Sequence, residues 1–210
     1  SAPAAPVPTA AVAAAAATWR VVGAEIEVEM REEGLYDSRY LAALVSVDEA
    51  AGTARVRYKH LMAEQGEQGE QGEQGATAET RAETPLVEDV ALSAVRPPPP
   101  RCVGWAGRLR PGAPCEIWHQ EGWWDAKVFG KRLRKGAAGR QSTVYEVASE
   151  RYAEIDATVP ASRLRPKLVL VNNSDWLAPA PLGFKVALGA EEHVVSREAA
   201  EEEAAEEEVT

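Results

Sequence analysis

Residues 114–128, Pro114-Cys115-Glu116-Ile117-Trp118-His119-Gln120-Glu121-Gly122-Trp123-Trp124-Asp125-Ala126-Lys127-Val128, decide how this chain folds. Cys115 to Trp118 form one apolar-rich run, Gly122 turns the chain, and Trp124, Ala126 and Val128 then alternate with Asp125 and Lys127. A period of two on either side of a turn predicts an antiparallel hairpin with one buried face. A polar loop from Lys131 to Gln141 follows, with a third strand at Val144, Tyr145 and Val147 and closing segments at Ile155–Val159 and Ala161–Leu164.

The same order of events occurs earlier. Ile26 and Val28 alternate with Glu25, Glu27 and Glu29, and Glu33-Gly34 breaks the run. Tyr40, Ala42 and Leu44 predict a second strand, and Ala54, Val56 and Tyr58 alternate with Arg55, Arg57 and Lys59 in a third. Closing positions lie between Glu83 and Val95, and Ala94-Val95-Arg96-Pro97 is echoed by Arg163-Leu164-Arg165-Pro166. Agreement in order and in closing phrase predicts an internal duplication: an all-β chain of two tandem small barrels packed side by side.

Around these barrels the composition shifts. Residues 1–18 hold only Ala, Pro, Val, Ser and Thr and predict a disordered leader. The first barrel, 19–97, contains a Gln-Gly-Glu repeat whose span 64–82 has too little apolar surface to offset ordering entropy and predicts a disordered loop. A Pro-rich linker is expected over 98–104, the second barrel over 105–178, and an extension with an acidic tail over 179–210. Leu168 to Val171 predict one more strand, a candidate to return to the first barrel, and Trp176, Leu182 and Phe184 are candidate anchors for the extension.

The net charge of −10 favours a cationic partner over nonspecific attachment to phosphate, although Lys131, Arg132, Arg134 and Lys135 leave a nucleic-acid contact open at the basic 131–140 loop. No stretch has the roughly 20 apolar residues of a membrane span, so no membrane partner is expected. Cys102 and Cys115 with three scattered histidines do not make a zinc pattern, and free, partly buried thiols are expected, with no metal and no cofactor. Neither a nucleophile turn nor a phosphate loop occurs, so no catalytic residues and no enzyme are expected.

Aromatic residues carry the chemistry instead. Trp118, Trp123, Trp124 and Phe129 fall within twelve positions, with Tyr145 and Tyr152 nearby. Trp123 and Trp124 must point to opposite sides of a strand. Trp123 and Phe129 are assigned to the core, and Trp124 with Trp118 to the walls of an open pocket. In the first barrel Tyr36, Tyr40 and Tyr58 are candidates for a pocket or for simple packing. A methylated ammonium keeps its charge while losing hydration, and aromatic faces attract it. A rim carboxylate favours forms that retain an N–H; Glu121, Asp125 and Glu150 are candidates there, with Glu33 and Asp37 in the first barrel.

The chain resembles plant-type tandem Agenet domains, of the Tudor-like royal superfamily, over residues 19 to 178. The resemblance rests on Val22-Gly23-Ala24-Glu25-Ile26-Glu27-Val28, Glu33-Gly34, Tyr40 to Val45, Val56-Arg57-Tyr58 and Val95-Arg96-Pro97, and then on Gly112 to Ile117, Glu121 to Val128 and Leu164-Arg165-Pro166. It implies two Tudor-like barrels and a reader of the methylated histone H3 tail, dimethylated lysine 9 above all. It also implies a place in heterochromatin in the nucleus of a plant or green alga. Trp118 and Trp124 match cage positions and Tyr40 and Tyr58 their first-barrel counterparts. Glu29 stands in the slot of Trp118, Arg39 in that of Trp123, and Val147 where Tyr58 sets the pattern. The tail is expected in an acidic groove between the units, contacting Glu33, Asp37, Glu121 and Asp125. A nucleic-acid-binding pair of barrels and a non-catalytic assembly scaffold are the rival readings.

Overall fold

The computed structural model describes residues 19–63, 84–135, 140–171, 175–180, 182–187 and 190–194. The predicted leader, the Gln-Gly-Glu loop, the centre of the 131–140 loop and the acidic tail lie outside these residues. The chain divides into two compact units, Trp19–Pro97 and the part beginning at Pro98. Among the described residues no helix is long and apolar enough to cross a membrane.

The first unit contains β1 (Glu25–Glu29), β2 (Ser38–Asp48), β3 (Thr53–Met62), β4 (Pro85–Ala91) and, after a 3-10 turn at Leu92–Ala94, β5 (Val95–Arg96). β1 pairs antiparallel with β2 and with β5, while β2, β3 and β4 continue as a meander. In the second unit β6 (Arg101–Val103) precedes β7 (Pro114–His119), β8 (Gly122–Lys135), β9 (Gln141–Ala148), β10 (Ala157–Pro160) and, after a 3-10 turn at Ala161–Arg163, β11 (Leu164–Pro166). β7 pairs with β8 and β11, β8 with β9, and β9 with β10. The two units therefore share one order of strands and one set of pairings.

The duplication extends to single hydrogen bonds. Gly23 and Gly112 sit at φ +86° and +87°, and each N–H donates over 2.7 Å to the second strand, to Leu44 and Val128 respectively. A side chain at that φ is strained, so glycine is required at both places. One residue beyond each acceptor the register shifts by a bulge, leaving Val45 and Phe129 as the extra residues. A bulge bends a strand and turns its extra residue out of the ladder. Phe129 is accordingly 61% exposed and is not the core residue expected from alternation.

Ile26, Val28, Ala42, Leu44 and Val56 fill the first core, and Ile117, Trp124, Ala126, Val128 and Val147 the second. Each such large aliphatic residue, fully buried, contributes about 1.5–3 kcal/mol. Glu27 and Glu116 depart from the alternation that placed the β1 glutamates in solvent: both are completely buried. Glu27 lies opposite Arg96 and receives hydrogen bonds from its Nε (3.0 Å) and Nη2 (2.8 Å). Glu116 lies opposite Arg165 and is bound by its Nε. The repeated closing arginine is thus the partner of a buried carboxylate.

Beyond the barrel, β12 (Val169–Val171), β13 (Asp175–Leu177) and β14 (Lys185–Ala187) form a small antiparallel sheet. The strand at Val169–Val171 therefore pairs within its own unit. β15 (Glu192–Val194) runs parallel to β6, so Arg101–Val103, inside the segment read as linker, is a strand. Trp176 and Leu182 are buried and Phe184 stacks on His193, with centroids 5.2 Å apart.

Removing one member of a buried ion pair leaves an uncompensated charge. Glu27→Gln and Glu116→Gln should each lower stability by about 3–5 kcal/mol, whereas Glu27→Met combined with Arg96→Leu should recover most of the loss. Urea unfolding of the three variants checks this. Both cysteines are free and buried. Burial, reinforced by Glu116 and Asp125, pushes the Cys115 thiol up to about 12, and burial alone pushes Cys102 up to about 11. An unfolded thiol ionises near about 8.5, so the folded chain keeps protons that the unfolded chain releases. Stability should be level below about pH 8 and fall as pH rises from about 9 toward 12, with Cys115→Ala showing the shallower decline in unfolding measured across that range.

Candidate functional site

In β7 and β8 the register sets Trp118 opposite Trp123 and Ile117 opposite Trp124. Directly opposed residues share a face, and neighbours along a strand do not. Trp118 and Trp123 therefore lie together on the outer face, rings 5.2 Å apart and edge-on, while Trp124 points inward and is 2% exposed. This corrects both the pairing of Trp118 with Trp124 as pocket walls and the assignment of Trp123 to the core. The Arg165 guanidinium lies 4.3 Å from the Trp123 centroid. A cation from the chain itself already occupies that aromatic face, and it is the cation that neutralises Glu116.

Trp124 belongs to a different cluster. Its indole N–H donates to the carbonyl of His119 over 2.8 Å, which fixes the ring across the hairpin. Tyr152 meets it at 5.1 Å between centroids and 89° between planes, and His119 at 6.0 Å and 80°. Tyr152 and His119 thus each stand nearly perpendicular to Trp124. Tyr152 stands at the start of the 3-10 turn Ala153–Ile155, between β9 and β10. Its hydroxyl and the Nε2 of His119 are both shielded from solvent and have no hydrogen-bond partner among the described residues. An orphaned polar atom is costly to bury, and two of them lie beside this one tryptophan.

His119 was not among the residues singled out in the sequence. It lies two positions after Ile117 on β7, and period-two counting from Ile117 puts it on the face of Trp124. The turn joining them, Gln120-Glu121, has φ +44° and +60°. A two-residue turn of this kind favours Asn-Gly, and here it holds a glutamate at its tip instead. Glu121 is exposed. Glu150 is also exposed but holds Lys127 at 2.5 Å, and Asp125 holds Lys167 at 2.5 Å. Glu121, in the turn that follows His119, is the candidate carboxylate with no such cation among the described residues.

Tyr145 is placed apart. Its ring is buried, its hydroxyl donates to the Ala106 carbonyl at 3.1 Å, and burial raises its pKa. It anchors the 3-10 turn Trp105–Arg108. In the first unit Tyr40 and Tyr58 are buried, and the Tyr58 hydroxyl binds Glu88; burial first, then that hydrogen bond and charge, raise its pKa strongly. Tyr36 is 40% exposed. Glu33 and Asp37 are exposed in the segment before β2, with Asp37 at φ +64°. The register also corrects one correspondence. Leu44 pairs with Val56 and Val128 with Val147, so Val147 matches Val56, and the counterpart of Tyr58 is Ser149.

A shallow depression of about 490 Å³ elsewhere on the second unit is lined by Phe129, Glu146, Val147, Ala148, Asp156 and Thr158. Arg132 spans part of it, reaching Glu146 at 3.4 Å and Thr158 at 3.2 Å. None of the candidate rings lines it. Among the described residues no group of three or more His, Cys, Asp or Glu is placed to hold a metal ion.

No sequence-family model and no curated protein matches the chain. Among solved structures it is similar to the AGD34 pair of AGDP1 from Arabidopsis thaliana, at a TM-score of 0.59 and 21% identity over 83% of this chain and 100% of that one. It is also similar to tandem Agenet domains 3-4 of ADCP1, at a TM-score of 0.54 and 19% identity over 82% of this chain and 97% of that one. The chain has the fold of a tandem Agenet pair, two Tudor-like barrels in succession.

Proposed function

We propose that this chain is a reader of methylated histone tails, acting on chromatin in the nucleus, with the H3 tail dimethylated at lysine 9 as its ligand. The observation that carries the reading is that His119 and Tyr152 both meet Trp124 nearly at right angles, at a hairpin turn that carries the exposed Glu121. The likeness to tandem Agenet pairs supports it.

The physical sequence of events is short. Tyr152 is only half-buried and sits in the loop between β9 and β10, and its hydroxyl surrenders no hydrogen bond when the ring moves. Moving the Tyr152 ring away from Trp124 makes room for a ligand between the two rings. A dimethylammonium then has aromatic faces on its methyl side and Glu121 for its remaining N–H. An unmethylated ammonium has more hydration to lose for the same contacts, so methylation raises affinity. Backbone and arginine contacts along the peptide contribute modestly, because exposed ion pairs are weak and the tail loses entropy on ordering.

Calorimetry with H3-tail peptides bearing zero to three methyl groups at lysine 9 tests the reading. Binding should be strongest for the dimethyl peptide. Loss of one aromatic face, about 0.5–2 kcal/mol, makes Tyr152→Ala weaker by roughly 2- to 30-fold. Tyr152→Phe should bind normally, and Glu121→Gln should erode the preference for dimethyl over trimethyl. Equal affinity for all four peptides, or unchanged binding by Tyr152→Ala, would refute the proposal.

A further inference from the structure

The basic residues of the second unit are mostly engaged within the fold. Lys127, Arg132, Arg165, Lys167 and Lys185 each face a carboxylate. Arg108 and Arg163 donate to backbone carbonyls. Lys131, Arg134, Lys135 and Arg140 have no such partner among the described residues, and all are exposed. They fall together on one hairpin, at the end of β8 and the approach to β9.

We infer that the described residues 131–135 of β8 and 140–143 at the start of β9 form a contact surface for the phosphate backbone of duplex DNA. Lys131 pairs with Tyr145, Leu133 with Thr143 and Lys135 with Gln141 on one face, and Arg134 pairs with Ser142 on the other. Cations thus project from both faces of a two-stranded ribbon, with Gln141, Ser142 and Thr143 exposed between them. Lys131 and Lys135 are roughly 13 Å apart along the strand at the usual rise. A two-stranded ribbon fits a major groove about 12 Å wide and meets phosphates on both walls. A bilayer surface is the poorer match, since Leu133 is the lone large apolar side chain among residues 131–135 and 140–143, and Phe129 is the only other strongly exposed one on β8 among the described residues.

The net charge of −10 does not oppose this. Residues 64–83 and 195–210 hold 13 of the 33 acidic residues and 2 of the 23 basic ones, leaving 20 acidic and 21 basic residues elsewhere. The surplus negative charge belongs largely to those two segments, and residues 98–178, which include the hairpin, hold 8 acidic and 13 basic residues and are net positive. A local cluster of four cations therefore dominates the field around the hairpin at distances within a Debye length, about 8–10 Å near physiological salt.

The test is fluorescence anisotropy of a labelled 20-base-pair duplex titrated with the full chain between 50 and 200 mM salt. It is repeated with the combined variant Lys131→Gln, Arg134→Gln, Lys135→Gln, Arg140→Gln. Each neutralised phosphate contributes about 0.9 to the slope of log affinity against log salt, so the variant should lose about 3 to 4 from the slope. Its affinity at 50 mM salt should fall at least 10-fold. Its binding to dimethylated H3 peptide should be unchanged, and Tyr152→Ala should keep its DNA affinity, which separates this inference from the proposed reader function. Equal affinity and slope for the variant, absence of binding by the parent chain at 50 mM salt, or tighter parent binding to phosphatidylserine vesicles than to the duplex each overturns it.

Discussion

A carboxylate cut off from water and held by one guanidinium fixes the closure of each barrel. Glu27 and Glu116 are fully buried on the first strand of their units, and Arg96 and Arg165 reach them from the short last strand. Such a pair adds little net stability, because desolvating both ions offsets much of their attraction. Its effect is on register. Sliding the closing strand by one residue turns the arginine to the other face and leaves the buried carboxylate without its guanidinium. The two-residue β5 and three-residue β11 have few ladder hydrogen bonds to hold position, so the ion pair supplies the alignment that short strands lack.

The two copies treat the neighbouring outer positions differently. In the second unit Trp118 and Trp123 form a cross-strand aromatic pair, and Trp123 covers the arginine of the buried pair. At the same register in the first unit, Glu29 lies opposite Arg39 and the two are joined at 3.2 Å. Two departures that look independent in the sequence are one exchange of an aromatic pair for an ion pair. The outer tryptophans are consequently part of the frame, and the inward-facing Trp124, matched by Tyr40 in the first copy, is left to the ring cluster.

Periodicity and repetition made the fold legible, because alternation in β2, β3, β8 and β9 and the recurrent Val-Arg-Pro and Leu-Arg-Pro phrases reflect local geometry. The site was less legible, for identifiable reasons. Alternation correctly separates Trp123 from Trp124 but does not say which side is inside; that depends on the register with Trp118 and on Arg165, which is 42 residues distant from Trp123 in the chain. Phe129 misleads because a bulge interrupts the period at that residue. Glu27 misleads because its partner arrives from the far end of the unit. Tyr152 and Trp124 were both legible as aromatic candidates, whereas His119 was hidden by its polar character despite lying on the inward phase of β7.

Three features of the second unit oppose stability at one place. Gln120 and Glu121 occupy left-handed backbone conformations that favour glycine or asparagine. Tyr152 and His119 each bury a polar atom with no partner. The first unit repeats part of this pattern, since Asp37, just before β2 as Glu121 is just before β8, also has positive φ. A turn selected only for folding would place Asn-Gly here. Holding a carboxylate at that point in both copies makes sense where its charge is used, and in the second copy the strained turn also joins His119 to the strand that carries Trp124. Backbone strain, orphaned polar atoms and converging rings thus coincide at the β7–β8 turn, while the far end of β8, where it pairs with β9, carries cations with no carboxylate partner among the described residues. One long strand, β8, links both.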